Sequence, residues 1–258
     1  PLFRRPTHTL GHRTIVMDIF HPHSIASAHT PQKTGFMKRL RSSWLGDTLM
    51  PNRKKIDKPV LVVVEGLDYL HFLLNSPLKD DAKFQDNVLL WDFKEGGISL
   101  SQFLCILRTL PNFDQVRTLG VMCDAEQNRA GMADSIRYHL GSNGFVVPSQ
   151  EGVTACGQPT VSYLILPHDE PSGCIEHACL KAAAKQELVH CAEAFLACAD
   201  GGTLNENWQA KLKVHAMIAG CGGNPAMTFG QSAATNLWRF DHPSLAIALN
   251  FVRDLAEM

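Results

Sequence analysis

Two apolar runs in this chain end in acids: Val60-Leu61-Val62-Val63-Val64-Glu65-Gly66 and Leu119-Gly120-Val121-Met122-Cys123-Asp124-Ala125-Glu126. Both have the composition of buried strands. In open α/β sheets, ligands bind beyond the carboxyl ends of the strands. Glu65, Asp124 and Glu126 are therefore expected to share one site. Three carboxylates held together need a cation, and a hard, oxygen-seeking Mg²⁺ (or Mn²⁺) is the simplest. Residues two apart on an extended segment project to one side, so Asp124 and Glu126 are expected to face the same ion. Either acid also reads as a cap for the helix that follows, stabilised by the helix dipole without any metal.

Other groups extend the candidate site. Gly66, behind Glu65, lets a ligand approach the backbone, or simply relieves a tight turn. Gly96 and Gly97 precede a helix and are expected either to cradle phosphate with backbone N–H groups or to form a plain turn. His168 and Asp169 lie in the polar loop 167–173 and are expected either to touch substrate or simply to belong to an exposed polar loop. Lys211 and Lys213 are candidates to neutralise a leaving charge, although surface lysines on a helix are common. Asp68 is read mainly as a helix cap. Cys174, His177 and Cys179 have zinc-ligand chemistry, but positions 177 and 179 point apart on a helix, so zinc is set aside.

These residues need elements to position them. From residue 59 the pattern alternates short β-branched runs with amphipathic stretches, the mark of βαβ units around a mostly parallel sheet. Strands are predicted over 60–64, 88–93, 118–123, 145–147 and 160–166. Helices are predicted from Asp68 to Asn75, Ser99 to Leu110 and Asn128 to Leu140. Residues 174–258 read as helices separated by Gly/Asn-rich loops. The predicted organisation is a basic, unpacked leader over 1–58, an α/β domain over 59–180, and a helical region over 181–258 packed on or extending it.

Charge sharpens that division. Residues 1–58 carry 11 Lys/Arg and 3 Asp/Glu, leaving 13 and 22 for the rest, so a basic leader precedes an acidic body. The chain begins at Pro1, with Met17, Met37 and Met50 as other starts. Residues 1–49 are read as either a disordered extension or sequence foreign to the native protein, and no function is hung on them. No run reaches the ~18 apolar residues of a membrane span. The eight cysteines form no C-x-x-C pair and read as reduced thiols in a cytoplasmic protein.

The order Val-Val-Glu-Gly, a glycine-containing second unit, then Asp-x-Glu closing the third strand resembles the Toprim domain of topoisomerases, bacterial primases and OLD-type nucleases. Gly173-Cys174-Ile175-Glu176 resembles the later glutamate of Toprim-like families related to OLD nucleases, and the likeness runs more loosely through Gly230-Gln231-Ser232-Ala233-Ala234 and Trp238 to Pro243. The resemblance implies an acid/base role for Glu65, metal binding by Asp124 and Glu126 with Glu65, and a second metal position completed by Glu176. Position 126 is Glu where many Toprim domains have Asp. The implied chemistry is Mg²⁺-dependent phosphodiester hydrolysis of nucleic acid. All three tyrosines (69, 138 and 163) fall within predicted sheet-domain elements, which counts against strand passage, and the template-binding and zinc modules of a primase are not seen in the sequence. Two alternatives stand beside the nuclease: a Toprim-fold interaction module serving a partner ATPase of a defence or toxin system, and a small-molecule phosphohydrolase. Any ATPase must be a separate polypeptide, since no P-loop motif is present. The acidic body and the lack of aromatic-basic interleaving count against nucleic-acid binding.

Overall fold

Four strands form one parallel sheet: β1 (Val60–Val64), β2 (Val88–Asp92), β3 (Thr118–Asp124) and β4 (Thr160–Leu166), in the order β2-β1-β3-β4. The computed structural model describes residues 55–200, 203–221, 224 and 226–258, so most of the expected basic leader lies outside the described residues. Register is continuous, Val64 pairing with Asp92 on one side and Met122 on the other. Nine α-helices are described: α1 (Leu67–Asn75), α2 (Ala82–Asn87), α3 (Leu100–Leu107), α4 (Arg129–Ser142), α5 (Ile175–Lys181), α6 (Gln186–Asp200), α7 (Glu206–Gly220), α8 (Phe229–Ser232) and α9 (Pro243–Ala256). The α/β architecture and the helical C-terminal region agree with the sequence expectation.

Strand alternation splits the core into two layers. Leu61, Val63, Val121, Cys123, Tyr163 and Ile165 face α3 and α4. Val60, Val62, Val64, Met122, Leu164 and Leu166 face the opposite layer, built from α1, α2 and the C-terminal helices. The split follows from crossover handedness. The path from β1 to β2 runs one way along the sheet, whereas those from β2 to β3 and β3 to β4 run the other, so their helices lie on opposite faces. One crossover cannot cover a whole face, and α9 fills the remainder against β1, β3 and β4. Gly120 permits that approach: a Cβ there would stand 2.4 Å from Leu255 Cδ1 and 3.3 Å from Val62 Cγ2. Region 181–258 thus shares one core with the strands.

The boundaries differ from expectation at informative places. Gly66, not Asp68, occupies the N-cap of α1, with φ 103°, and Asp68 sits in the first turn. A short 3₁₀ turn, Pro77–Asp80, and α2 were not foreseen; Ser76 and Asp81 cap them. The strand predicted over 145–147 is absent. Gly144, at φ 75°, reverses the end of α4 and the Phe145 N–H is taken by the Leu140 carbonyl, so Phe145 serves as an apolar helix stop. Asn128 rather than Asp124 or Glu126 caps α4, accepting from the Gly131 N–H at 3.1 Å.

Candidate active site at the carboxyl ends of β1 and β3

β1 and β3 are adjacent, but their chain continuations diverge: β1 leads to β2 and β3 to β4. That divergence is a topological switch point, where the crevice of an open parallel sheet lies. Glu65 follows β1 and Asp124 ends β3. One Glu65 oxygen, Oε2, accepts from the Asp124 N–H at 3.1 Å, and Oε1 is ion-paired with Lys94 Nζ. The Glu65 side chain is only 9% exposed against 51% for Lys94, so the pair closes over a buried carboxylate from the solvent side.

Asp92 organises both partners. Ending β2 and buried, its Oδ1 accepts from the Gly66 and Lys94 N–H groups, each at 2.8 Å. Burial raises its pKa, with the two N–H bonds opposing. The same side chain therefore fixes the turn behind Glu65 and the turn presenting Lys94. Partial burial alone would lower the lysine's pKa, but Glu65's hydrogen bond and charge, with Glu126 and Asp124 further off, hold it above the usual value.

Asp124 is almost fully enclosed. Its Oδ1 accepts from the Ile175 N–H at the start of α5, at 3.0 Å. Burial, then the charges of Glu176 and Glu65, push its carboxyl well above the ordinary carboxylate range. Glu176, in the first turn of α5, is 9% exposed, and its Oε2 is buried without a hydrogen-bond partner. The Tyr69 hydroxyl on α1 is likewise buried and unpartnered, and burial followed by the charge of Asp124 raises its pKa. Next to Glu176, the Cys174 thiol is pushed far up by burial and by that carboxylate, so it stays a neutral thiol.

Glu126 departs from the expected geometry. Its φ of 52° is left-handed, and its backbone pairs with Gly173 in an antiparallel bridge. The extended segment ends at Asp124, so the two acids do not project together; Glu126 is exposed and accepts from Asn207 Nδ2 at 3.0 Å. Among the described residues, no three His, Cys, Asp or Glu side chains converge closely enough to cage an ion. The four-carboxylate cluster expected from sequence is instead a buried Asp124–Glu176 pair, flanked by Glu65 under Lys94, with Glu126 outside.

Lys211 joins these acids from α7. Partial burial would lower its pKa, but Glu176, Cys174, Asp124 and Glu126 raise it. Lys213 points elsewhere, to Glu193 on α6 at 3.5 Å. Beside the buried pair opens a cleft of about 420 Å³ whose lining includes Glu126, Asn205, Glu206, Asn207, Trp208 and Lys211.

The remaining candidates fall outside this centre. Gly66's N–H is committed to Asp92, and Gly97's to the Lys94 carbonyl at 2.9 Å. Gly96 and Gly97, both at positive φ, shape the turn that carries Lys94, and α3 is capped by its own Ser99–Gln102 box. The phosphate-cradle reading therefore gives way to the turn reading at Gly97. His168 Nδ1 sits 3.2 Å from Glu151 and from Arg129, whose guanidinium also holds Glu151 and the Ile165 and Pro167 carbonyls. This cluster braces the 167–173 loop from behind. Asp169 and Glu170 pair with Lys181, which lowers the Asp169 pKa, so the loop is also tied to the end of α5. Sequence reasoning missed Asp92, Lys94, Tyr69 and Trp208. The Asp92-x-Lys94 pair at the end of a strand was the available signal for two of them.

No described helix is long and apolar enough to cross a membrane. A family model described as "Protein of unknown function (DUF3226)" matches residues 59–257, all four strands and all nine described helices. No curated protein and no solved structure matches the chain.

Proposed function

We propose, for a chain that belongs to the DUF3226 family, that the junction of β1, β3 and α5 is a Toprim-like centre for metal-dependent hydrolysis of nucleic-acid phosphodiesters. One observation carries the reading: Asp124 and Glu176 are buried together at the switch point, with Glu176 Oε2 unpartnered. Two adjoining carboxylates in a desolvated site require a proton or a cation. Mg²⁺ typically binds through only one or two carboxylates and completes its shell with water and phosphate oxygens, so a two-acid donor set fits it. Bound there, a divalent ion supplies Lewis acidity and lowers the pKa of an attacking water.

The chain's own groups divide the remaining work. Lys211 is held positive by the acids and is placed to offset charge on the phosphate. Glu65 takes the acid/base role, oriented by Lys94 and the Asp124 N–H. Asp92 acts through them as a positioning residue. All eight cysteines are free, and three of them (Cys123, Cys174 and Cys179) are buried, in keeping with a reducing cytoplasmic setting.

Calorimetric titration of Mg²⁺ or Mn²⁺ into wild type and the Asp124→Asn/Glu176→Gln variant tests the reading, followed by cleavage assays on plasmid and single-stranded substrates. Loss of binding and of cleavage together in the variant supports it. Metal binding without cleavage moves the substrate to a smaller phosphate or points to a missing partner such as an ATPase. Absence of metal binding in wild type removes the enzyme and leaves an interaction module.

A further inference from the structure

We propose that Trp208 and Lys211 form a subsite for single-stranded nucleic acid, Trp208 stacking one base while Lys211 meets the neighbouring phosphate; the inference rests on the nuclease reading of the adjoining acids. Trp208 is 57% exposed, although an indole is usually covered in a monomeric domain. It stands one helical turn before Lys211 on α7, whose Nζ lies 6.0 Å from the indole centroid. Both line the same cleft as Glu126 and Asn207. Asn205 and Asn207 add amide groups suited to base edges; Asn205 also caps α7 through Trp208 N–H at 3.0 Å, which fixes the start of the helix carrying the indole.

The chemistry selects the ligand. Lys211 Nζ lies over one face of the exposed indole, so a base would stack on the other face with the cation at hand for its phosphate; stacking on Trp is sequence-tolerant. A duplex keeps its bases stacked internally, so only a strand with splayed bases offers a face to Trp208. The cleft, at about 420 Å³, suits a nucleotide rather than a helix. Glu126 and Glu206 share the lining with a single lysine. Phosphate should therefore enter only with a divalent ion offsetting the acids, and binding should depend on that ion, unlike the salt-sensitive binding of a basic groove.

Fluorescence anisotropy on the full chain tests this, using labelled dT and rU octamers, an abasic octamer and a blunt duplex, with Ca²⁺ replacing Mg²⁺ to restrain cleavage. Trp208→Ala should weaken octamer binding by roughly 5- to 100-fold, whereas Trp208→Phe should retain most of it. Wild type should lose a similar factor on the abasic strand, and Trp208→Ala should not distinguish abasic from base-bearing strands. The dT and rU arms separate DNA from RNA. The proposal is overturned if wild type binds base-bearing and abasic strands alike, binds none, or is matched by Trp208→Ala. Metal calorimetry and plasmid cleavage on the same samples separate the two claims. Persistent metal binding and cleavage with unchanged octamer affinity in Trp208→Ala removes the subsite alone. Failure of wild type to bind metal removes the nuclease reading. Circular dichroism on each variant reports folding, and Trp208→Phe guards against a misfolded alanine variant.

Discussion

Asp124→Asn should make the metal-free protein more stable and, in the same step, blind to divalent ions. An Asn carbonyl can still accept the Ile175 N–H now bonded to Oδ1 at 3.0 Å, so the link between β3 and α5 survives. What disappears is a carboxylate that is 7% exposed and faces Glu176 and Glu65. Its folded pKa lies above the unfolded value of about 3.9. The native state therefore binds a proton that the unfolded chain has released, and wild-type stability falls as pH rises from the unfolded pKa through the folded one. The asparagine removes that decline. Relief of such electrostatic strain amounts to roughly 0.5–2 kcal/mol at neutral pH, or about 1–8 °C in Tm for a domain of this size. The metal arm runs the other way: on the proposed function, an ion at a hundredfold its Kd should stabilise wild type by about 2.7 kcal/mol, about 5–11 °C, and leave the variant unmoved. Scanning calorimetry between about pH 5 and 8, with chelator and then with Mg²⁺, reads both effects. A variant less stable than wild type in chelator, or one that keeps the full metal shift, would refute the reasoning.

Three further outcomes are expected. Tyr69→Phe deletes a buried hydroxyl without a partner and should raise stability by about 1 kcal/mol; a loss in urea denaturation would show that the hydroxyl is bonded in solution. Asp92→Ala strands the Gly66 and Lys94 N–H groups and should cost about 2–4 kcal/mol, seen as a lower urea midpoint at unchanged slope, while Asp92→Asn restores much of it. Gly120→Val places methyl groups against Leu255 and Phe251 and should destabilise by about 1–3 kcal/mol; adding Leu255→Ala should recover part of the loss, and strict additivity in the double-mutant cycle would contradict the contact.

The strands were legible where the chemistry left one solution. Val60–Val64 and Thr160–Leu166 are mainly apolar runs buried on both faces, and their predicted limits match the observed ones. The strand-end rule led to Glu65 and Asp124 because it depends on topology rather than on side-chain detail. Phe145–Val147 misled because a run of three apolar residues fits a helix stop as well as a strand. The orientation of Glu126 was hidden by its φ of 52°, a conformation its residue type does not advertise. Asp92 lay unremarked within the predicted strand 88–93, and only the register that sets it beside Val64 shows it, with Lys94, at the site. Trp208 escaped notice because its neighbours in the cleft, Glu126 and Ser172, lie far off in sequence.

The layer completed by α9 also constrains how the chain is made. Val60, Val62, Val64, Met122, Leu164 and Leu166 share a core with residues up to Ala256. During synthesis at ~5–20 residues per second, part of that sheet face is uncovered for roughly 5–20 s between completion of β4 and of α9. A nascent parallel sheet with one bare apolar face is a natural client for a chaperone. Ribosome-bound chains halted before Pro243 should remain protease-sensitive, and emergence of α9 should cover the sheet face over β1, β3 and β4.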